Sequence, residues 1–290
     1  MSTQLKSFGD AARPHAARNR WEKPLLYLVL TLLSVATLFC LIWMFYTSFK
    51  SNAEITMNIF ALPTQLHFEN YVNAWQTAKI GVYLFNSVYV ATVAIVLTVL
   101  VSAMAAFILS KFTFRLQRLV YTMFIIGMLI PLQSVLVPLF IQMRNLNLLN
   151  THWSLIFSYT AFGLPISVFI LESFMRSFPD AIIEAAVMDG CSIPRVFFQM
   201  ILPMSRPAIA TVTILNFLNN WKEFSFALIF INDDIKKTLP LGLYNFLGAY
   251  SSNYAELMAA LTISSIPIIL LYLILQEQVI NGMTSGAVKG

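Results

Sequence analysis

The chain has 290 residues, 58% of them hydrophobic and 11% charged, with a mean hydropathy of +0.74; soluble domains carry about 25% charged residues, so an ordinary soluble enzyme or binding module is excluded. The formal charge of +5 would suit nucleic acid, but the basic residues lie between apolar runs and form no patch of their own, which points to a membrane protein that does not bind nucleic acid. Two cysteines, Cys40 and Cys191, and three scattered histidines, His15, His67 and His152, provide neither a disulfide framework nor a metal-ligand pattern.

A bilayer-spanning helix needs about 20 mostly apolar residues, and six stretches supply it. A basic tail, 1–23, with Lys6, Arg13, Arg18, Arg20 and Lys23, precedes the first span at 24–49. That run is too long for a signal peptide and no small-residue cleavage site follows it, so it reads as a retained span. A sizeable loop, 50–79, leads to the second span at 80–110. Lys111, Arg115 and Arg118 separate this from the third, 119–143. The window 145–171 holds the fourth, which starts near Trp153 because Asn145, Asn147, Asn150, Thr151 and His152 are polar. After the segment 177–203 comes the fifth, 207–231, apolar except for Lys222 and Glu223. A second loop, 232–256, leads to the last span at 257–276. The ending "SGAVKG" is too polar and short to continue it, so 282–290 reads as a tail. The expectation is an all-α membrane protein of six transmembrane helices, with five of them in a core over 80–281.

Loop by loop, twelve of the 18 Lys and Arg fall on one side of the membrane. The positive-inside rule then puts both tails, the 111–118 loop and the 177–203 segment in the cytoplasm, and the 50–79 and 232–256 loops outside.

The interruption between the fourth and fifth spans has its own local logic. Ser177 with Asp180 three residues on fits a capping box, and Pro179 suits a first helical turn. A short helix then runs from Ala181 to Asp189 and stops at Gly190, the residue that best tolerates a left-handed C-terminal conformation. Ser192 and Pro194 start a second short helix leading into Leu202 and Pro203. Small Ala185 and Ala186 leave room for another surface to approach, and Glu184 adds a charge. Local physics leaves two readings open: a capped connector lying on the membrane, or a docking surface.

The same stretch carries a resemblance. "EAA" at 184–186, three residues, Gly190, nine residues, then "MILP" at 200–203 is similar to the signature loop of ATP-binding-cassette importer permeases; Met200 stands where the pattern usually has Ile. "NWKEFSFALIF" (220–230), "KTLPLGL" (237–243) and "GMTSGAVKG" (282–290) resemble its carbohydrate branch, to which maltose permeases belong, whereas the first 75 residues match only in general character. The resemblance implies a type I importer permease fold in a bacterial or archaeal plasma membrane. It implies that Glu184, Ala185, Ala186, Asp189, Gly190, Leu202 and Pro203 form a coupling helix that docks on an ATPase subunit. Gly286, Val288, Lys289 and Gly290 would reach the ATPase interface, a frayed terminus being the alternative. The 232–256 loop would contact a solute-binding protein. Implied partners are a second, homologous permease, two ATPase subunits, an extracytoplasmic binding protein and the lipid bilayer. The chain has no G-x-x-x-x-G-K-[ST] phosphate loop, so it would bind no cofactor itself, ATP and magnesium belonging to the ATPase. It would move a sugar, an oligosaccharide by preference, and catalyse nothing.

Lys222 and Glu223 raise a separate question. A charge facing lipid at mid-helix costs about 2.5–3.5 kcal/mol, and an ionisable residue inside the membrane marks a functional site by default. With Asn216, Asn219, Asn220 and Trp221 just before them, and Tyr244 beyond, they could line a sugar path of amides and aromatic faces. Alternatively the helix ends early and Trp221 with Lys222 is an interfacial anchor. A non-sugar solute is the nearest rival. An ion-coupled transporter would need membrane-embedded carboxylates, for which Glu223 is the one candidate, and an intramembrane enzyme would need a nucleophile and base that are not found.

Overall fold

A computed structural model describes residues 22–246 and 253–287, with Glu22 and residues 277–287 described by backbone alone. Every regular element among the described residues is a helix. The first span is α1 (Glu22–Thr47), followed by the short α2 (Asn52–Met57) and α3 (Glu69–Gln76) and then by the 32-residue α4 (Ile80–Lys111). Next come α5 (Gln117–Gly127), α6 (Leu132–Asn145) and α7 (His152–Arg176). The interrupting segment forms α8 (Ala181–Met188), α9 (Ile193–Val196), a π-helical turn (Phe197–Ile201) and α10 (Leu202–Met204). The chain ends with α11 (Arg206–Trp221), α12 (Ser225–Phe230), α13 (Leu239–Leu243) and α14 (Tyr254–Ala287). Among the described residues four helices are long and apolar enough to cross a bilayer, or up to six spans if each of two bent pairs counts as one.

The bent pairs correct the sequence reading. The expected third span, 119–143, is broken: α5 and α6 meet at 103°. Pro131 explains the break, because it has no N–H to donate and bars the α conformation to the residue before it; Gly127 closes α5 against the ring of Pro165 on α7, where an added Cβ would lie 3.1 Å from Pro165 Cγ. The expected fifth span, 207–231, is α11, a break at 222–224, and α12. Toward the N-terminus, α11 meets the preceding α9–α10 segment at 75°, where Pro203 and Pro207 flank Ser205. The last helix runs on through Ala287, so Gly286 is helical where a free tail was expected, while Val288, Lys289 and Gly290 lie outside the described residues.

The centre of the fold is the contact between α4 and α7. Its facing residues are small: Ala94, Thr98 and Ser102 on α4 and Ser154, Ser158, Gly163 and Ser167 on α7 are all buried. Small side chains let two membrane helices approach closely. Each hydroxyl donates back to its own helix, Thr98 to Ala94 O at 2.7 Å, Ser158 to Ser154 O at 2.7 Å and Ser167 to Gly163 O at 2.6 Å, so none is stranded away from water.

The 232–246 loop is tied down at the Ile80 end of α4. Asn86 Nδ2 donates to Ile235 O and Lys237 O, and Ser87 Oγ accepts from Leu239 N. Asp234 accepts from Lys79 Nζ at 2.7 Å and from the Tyr83 hydroxyl at 3.0 Å; the Lys79 ammonium, helped by Lys237, holds its carboxyl down to about 2. Gly242 lies flat on the Tyr83 ring, where any side chain would collide.

Candidate functional site

Two features stand out, one at the Lys111 end of the core and one at mid-depth. The first is the segment around α8. Ile183 and Ala186 point inward, into a cluster with Ala103 and Phe107 of α4, Met175 of α7, and Ala208 and Val212 of α11. The opposite face is open: Glu184, Ala185, Val187, Met188, Asp189 and Gly190 are exposed, Met188 at 86%. Gly190 ends the helix at φ +82° with open space around its missing Cβ. Its N–H donates to Val187 O at 3.0 Å and that of Cys191 to Ala186 O at 2.9 Å, which is a Schellman closure. Cys191 packs on the cluster that holds Ala186, the apolar contact such a closure calls for.

The entry to α8 differs from expectation. Ser177 caps the end of α7, its hydroxyl donating to Phe174 O at 2.7 Å, and makes no capping box with Asp180. The tie comes instead from Lys111, whose ammonium donates to Phe178 O at 2.5 Å and pairs with Asp180 at 2.8 Å while its side chain is 2% exposed. Arg176 pairs with the buried Glu172 one turn earlier. Sequence reading assigned Lys111 only to topology; a lysine ending one span and an aspartate opening the next short helix were the signal missed.

The second feature is a cavity of about 440 Å³ between the two broken spans. Leu132 and Gln133, at the start of α6, form one wall; Tyr159, Phe162, Gly163 and Ile166 of α7 form another. The third is built from Asn216, Asn219, Asn220, Lys222, Glu223 and the Phe224–Phe226 turn. Tyr159 and Ile166 lie seven and fourteen residues past His152, about 10 and 21 Å along α7 at 1.5 Å per residue. The cavity therefore sits at membrane mid-depth. Irregular backbone is tolerated there when it lines a cavity and its polar groups are met, and the second break, at 222–224, lines this one.

Glu223 meets them at the second break. Its carboxylate accepts from Phe226 N at 2.7 Å, Ala227 N at 3.3 Å and the Tyr159 hydroxyl at 3.0 Å. It caps α12 and joins that helix to α7, so α11 does end early, at Trp221. Trp221, however, is no interfacial anchor. It is 5% exposed, stacks on Phe217 at 5.1 Å and donates its indole N–H to Ser264 O of α14 at 3.3 Å. Asn216 is also occupied, donating to Ser167 Oγ at 2.9 Å and Val212 O at 2.8 Å; Gly163 lacks a side chain where Asn216 Oδ1 lies.

Of the residues expected along a substrate path, the structure gathers Asn216, Asn219, Asn220, Lys222 and Glu223 around one cavity. It turns Trp221 away and leaves Tyr244 outside the lining, 57% exposed and ring to ring with Phe224 at 5.8 Å. What remains to meet a ligand is a set of donors: the amides of Asn219 and Asn220, Gln133 and the Lys222 ammonium, against the rings of Phe162, Phe224 and Phe226. The Asn220 amide nitrogen is buried with no partner of its own. Amide and ammonium donors beside aromatic faces suit the oxygens and C–H faces of a sugar. Gln133 and the α7 residues lie in apolar or uncharged stretches and carried no sequence signal of their own; the Pro131 that turns α6 inward was visible. Among the described residues no group of His, Cys, Asp or Glu could hold a metal.

A family model described as "Binding-protein-dependent transport system inner membrane component" matches residues 98–285. The chain is 38% identical to the diacetylchitobiose uptake system permease protein NgcG of Streptomyces coelicolor, over 96% of this chain and 93% of that one. It is 33% identical to the trehalose/maltose transport system permease protein MalG of Thermococcus litoralis, over 93% and 98%. Its fold matches that of a chain in the crystal structure of a bacterial ABC transporter involved in the import of the acidic polysaccharide alginate, with a TM-score of 0.81 at 21% identity, covering 91% and 98% of the two chains.

The Glu223 cap makes a direct prediction. Glu223→Ala leaves two N–H groups and the Tyr159 hydroxyl without their acceptor, a loss of about 1–3 kcal/mol, and should lower the unfolding midpoint of the detergent-purified protein. Glu223→Gln keeps one acceptor oxygen and should lose clearly less. Equal midpoints for wild type and Glu223→Ala would remove the capping role.

Proposed function

The chain belongs to the family of binding-protein-dependent transport system inner membrane components, and from that membership we propose that it carries an oligosaccharide through the 440 Å³ cavity under the drive of ATPase subunits docked on the 177–203 segment. It is a multi-pass permease subunit of an ABC importer and not itself an enzyme. Permeases of this family work with an ATPase and a solute-binding protein. The finer assembly, with a second homologous permease and two ATPase subunits that bind all the ATP and magnesium, is part of the proposal.

The observation that carries the coupling half is the two-faced α8. One face is sunk into a cluster shared by α4, α7 and α11; the other presents Glu184, Ala185, Val187 and Met188 to whatever docks. Gly190 and Asp189 close the helix. Leu202 and Pro203, half-buried in α10, serve as the hinge into α11 and Ala186 as an inward anchor, so of the residues expected to couple it is Glu184, Ala185 and Asp189 that join Val187 and Met188 on the docking face. In this reading α8 and both termini lie in the cytoplasm and the 50–79 and 232–256 loops outside, which the distribution of Lys and Arg supports. A sugar is favoured as cargo because the cavity offers donors and aromatic faces, and because the relatives named above are permeases for diacetylchitobiose and for trehalose or maltose. Glu223 is consumed as a helix cap and Glu172 is paired with Arg176, which disfavours ion coupling.

Gly190→Asp separates coupling from folding. A non-glycine residue in the left-handed region costs roughly 1 kcal/mol, which folding can bear, and the added side chain meets open space within this chain. It would meet the ATPase, where an unpaired charge trapped in an interface costs several kcal/mol. The mutant should reach the membrane at near-normal level, lose copurification with the ATPase and lose sugar uptake. Ala185→Asp should match it and Val187→Ala should be mild, whereas removing residues 288–290 should weaken the copurification only partly. Deleting residues 245–252 should instead spare copurification and abolish stimulation of the ATPase by loaded binding protein. Full uptake by Gly190→Asp would overturn the docking assignment.

A further inference from the structure

Between α1 and α3, residues 55–66 contain no charged side chain, and most of their large apolar side chains are turned outward: Met57 is 85% exposed, Phe60 66% and Leu62 71%. A loop facing water ordinarily turns such side chains inward and leaves its carbonyls to solvent. This one does the reverse. Asn58 O and Ala61 O accept from Lys50 Nζ at 2.7 and 2.9 Å. Ile59 O accepts from Trp43 Nε1 at 3.1 Å and Phe60 O from the Tyr46 hydroxyl at 3.0 Å. The N–H groups of Phe60 and Ala61 donate to Asn58 Oδ1 at 3.1 and 3.2 Å. Four consecutive carbonyls are thus met by side chains, two of the contacts coming from α1 and two from the lysine just past it. Irregular backbone survives in hydrocarbon only under that condition.

The depth agrees. The Phe60 ring lies 6.4 Å from those of Phe39 and Trp43 on α1, and Phe39 is eight residues inside the Thr47 end, about 12 Å into the span at 1.5 Å per residue. The apolar window of α1 is 0% buried, so residues 57–62 continue a surface that already belongs to a membrane span. Lys50, 1% exposed, closes the base, and Glu54, capping α2 from Ser51 while accepting Thr64 N at 2.9 Å, pins the returning strand of chain.

We propose that residues 57–62 form a wedge embedded among the lipid acyl chains beside α1, in the leaflet at its Thr47 end. A charge-free tip, apolar at every side chain but Asn58 and with the carbonyls of residues 58–61 met from within, fits hydrocarbon, and it offers no cation to lipid phosphates. The wedge fixes α2 and α3 to the bilayer, and through Asn52–Asn253 and Asn73–Glu256 it holds the first turn of α14 in register with that leaflet. The inference rests only on α1 being a membrane span and is independent of the cargo.

The test uses the full importer complex in lipid nanodiscs, with Cys40→Ala and Cys191→Ala and an environment-sensitive fluorophore on Met57→Cys or, in a second variant, Leu62→Cys. Emission should be blue-shifted, strongly quenched by lipids carrying a doxyl group on the acyl chain, and insensitive to aqueous iodide. Adding Lys50→Met should release the wedge and make the same label iodide-sensitive. Quenching by iodide with none from doxyl lipid would overturn the proposal in favour of a water-facing loop. Protection from both quenchers would overturn it in favour of burial against the second permease.

Discussion

Backbone N–H and C=O groups cannot be left unmet at membrane depth, and the places where helices break are where this chain has to solve that problem. At the first break, Pro131 removes one donor outright, and the residues before it close tight turns, Leu129 N to Ile126 O at 2.9 Å and Met128 N to Ile125 O at 3.2 Å. At the second, the Glu223 carboxylate takes the N–H groups at the start of α12. Leu132 and Gln133, just past the first break, share the cavity lining with the second, so that lining holds groups that satisfy the fold and a few that the fold leaves free. Asn216 and Glu223 belong to the first class; Asn219, Asn220 and Lys222 belong to the second.

That division connects the cavity to the docking segment. Ala208 and Val212 on α11 pack in the same cluster as Ile183 and Ala186 of α8, and Asn216 donates to Val212 O one turn further on. From Ala208 to Asn220 is about 18 Å of helix at 1.5 Å per residue, with no break between. A push on α8 is therefore a push on α11, and the Lys111 tie to Phe178 and Asp180 brings α4 along. Rigid-body rocking of these helices around the cavity is the motion we propose for the coupled cycle, since close-packed helices move as units.

Much of this was legible in the sequence because it depends on local chemistry. The uncharged runs marked α1, α4, α7 and α14, and Gly190 announced a left-handed helix end because few other residues can adopt it. Ser177 misled because a serine between two helices can cap either, and only tertiary context shows that it closes α7. The break before α6 hid inside an uncharged stretch, where hydropathy cannot distinguish one straight helix from two bent ones. The orientation of Trp221 was equally hidden, since a tryptophan beside a lysine near a helix end has the composition of an interfacial anchor whichever way its ring turns. The last helix outran its apolar window because helical backbone can continue beyond the bilayer.

The claim that binds these parts is that the cavity opens to opposite sides of the membrane as α8 is pushed and released. Asn219→Cys, in a chain with Cys40→Ala and Cys191→Ala, places one thiol in the cavity lining. In proteoliposomes holding the full complex, a membrane-impermeant thiol reagent should label it from the ATPase side at rest and from the opposite side once vanadate traps the nucleotide-bound state. Labelling from the same side in both states, or from neither in either state, would contradict alternating access through this cavity.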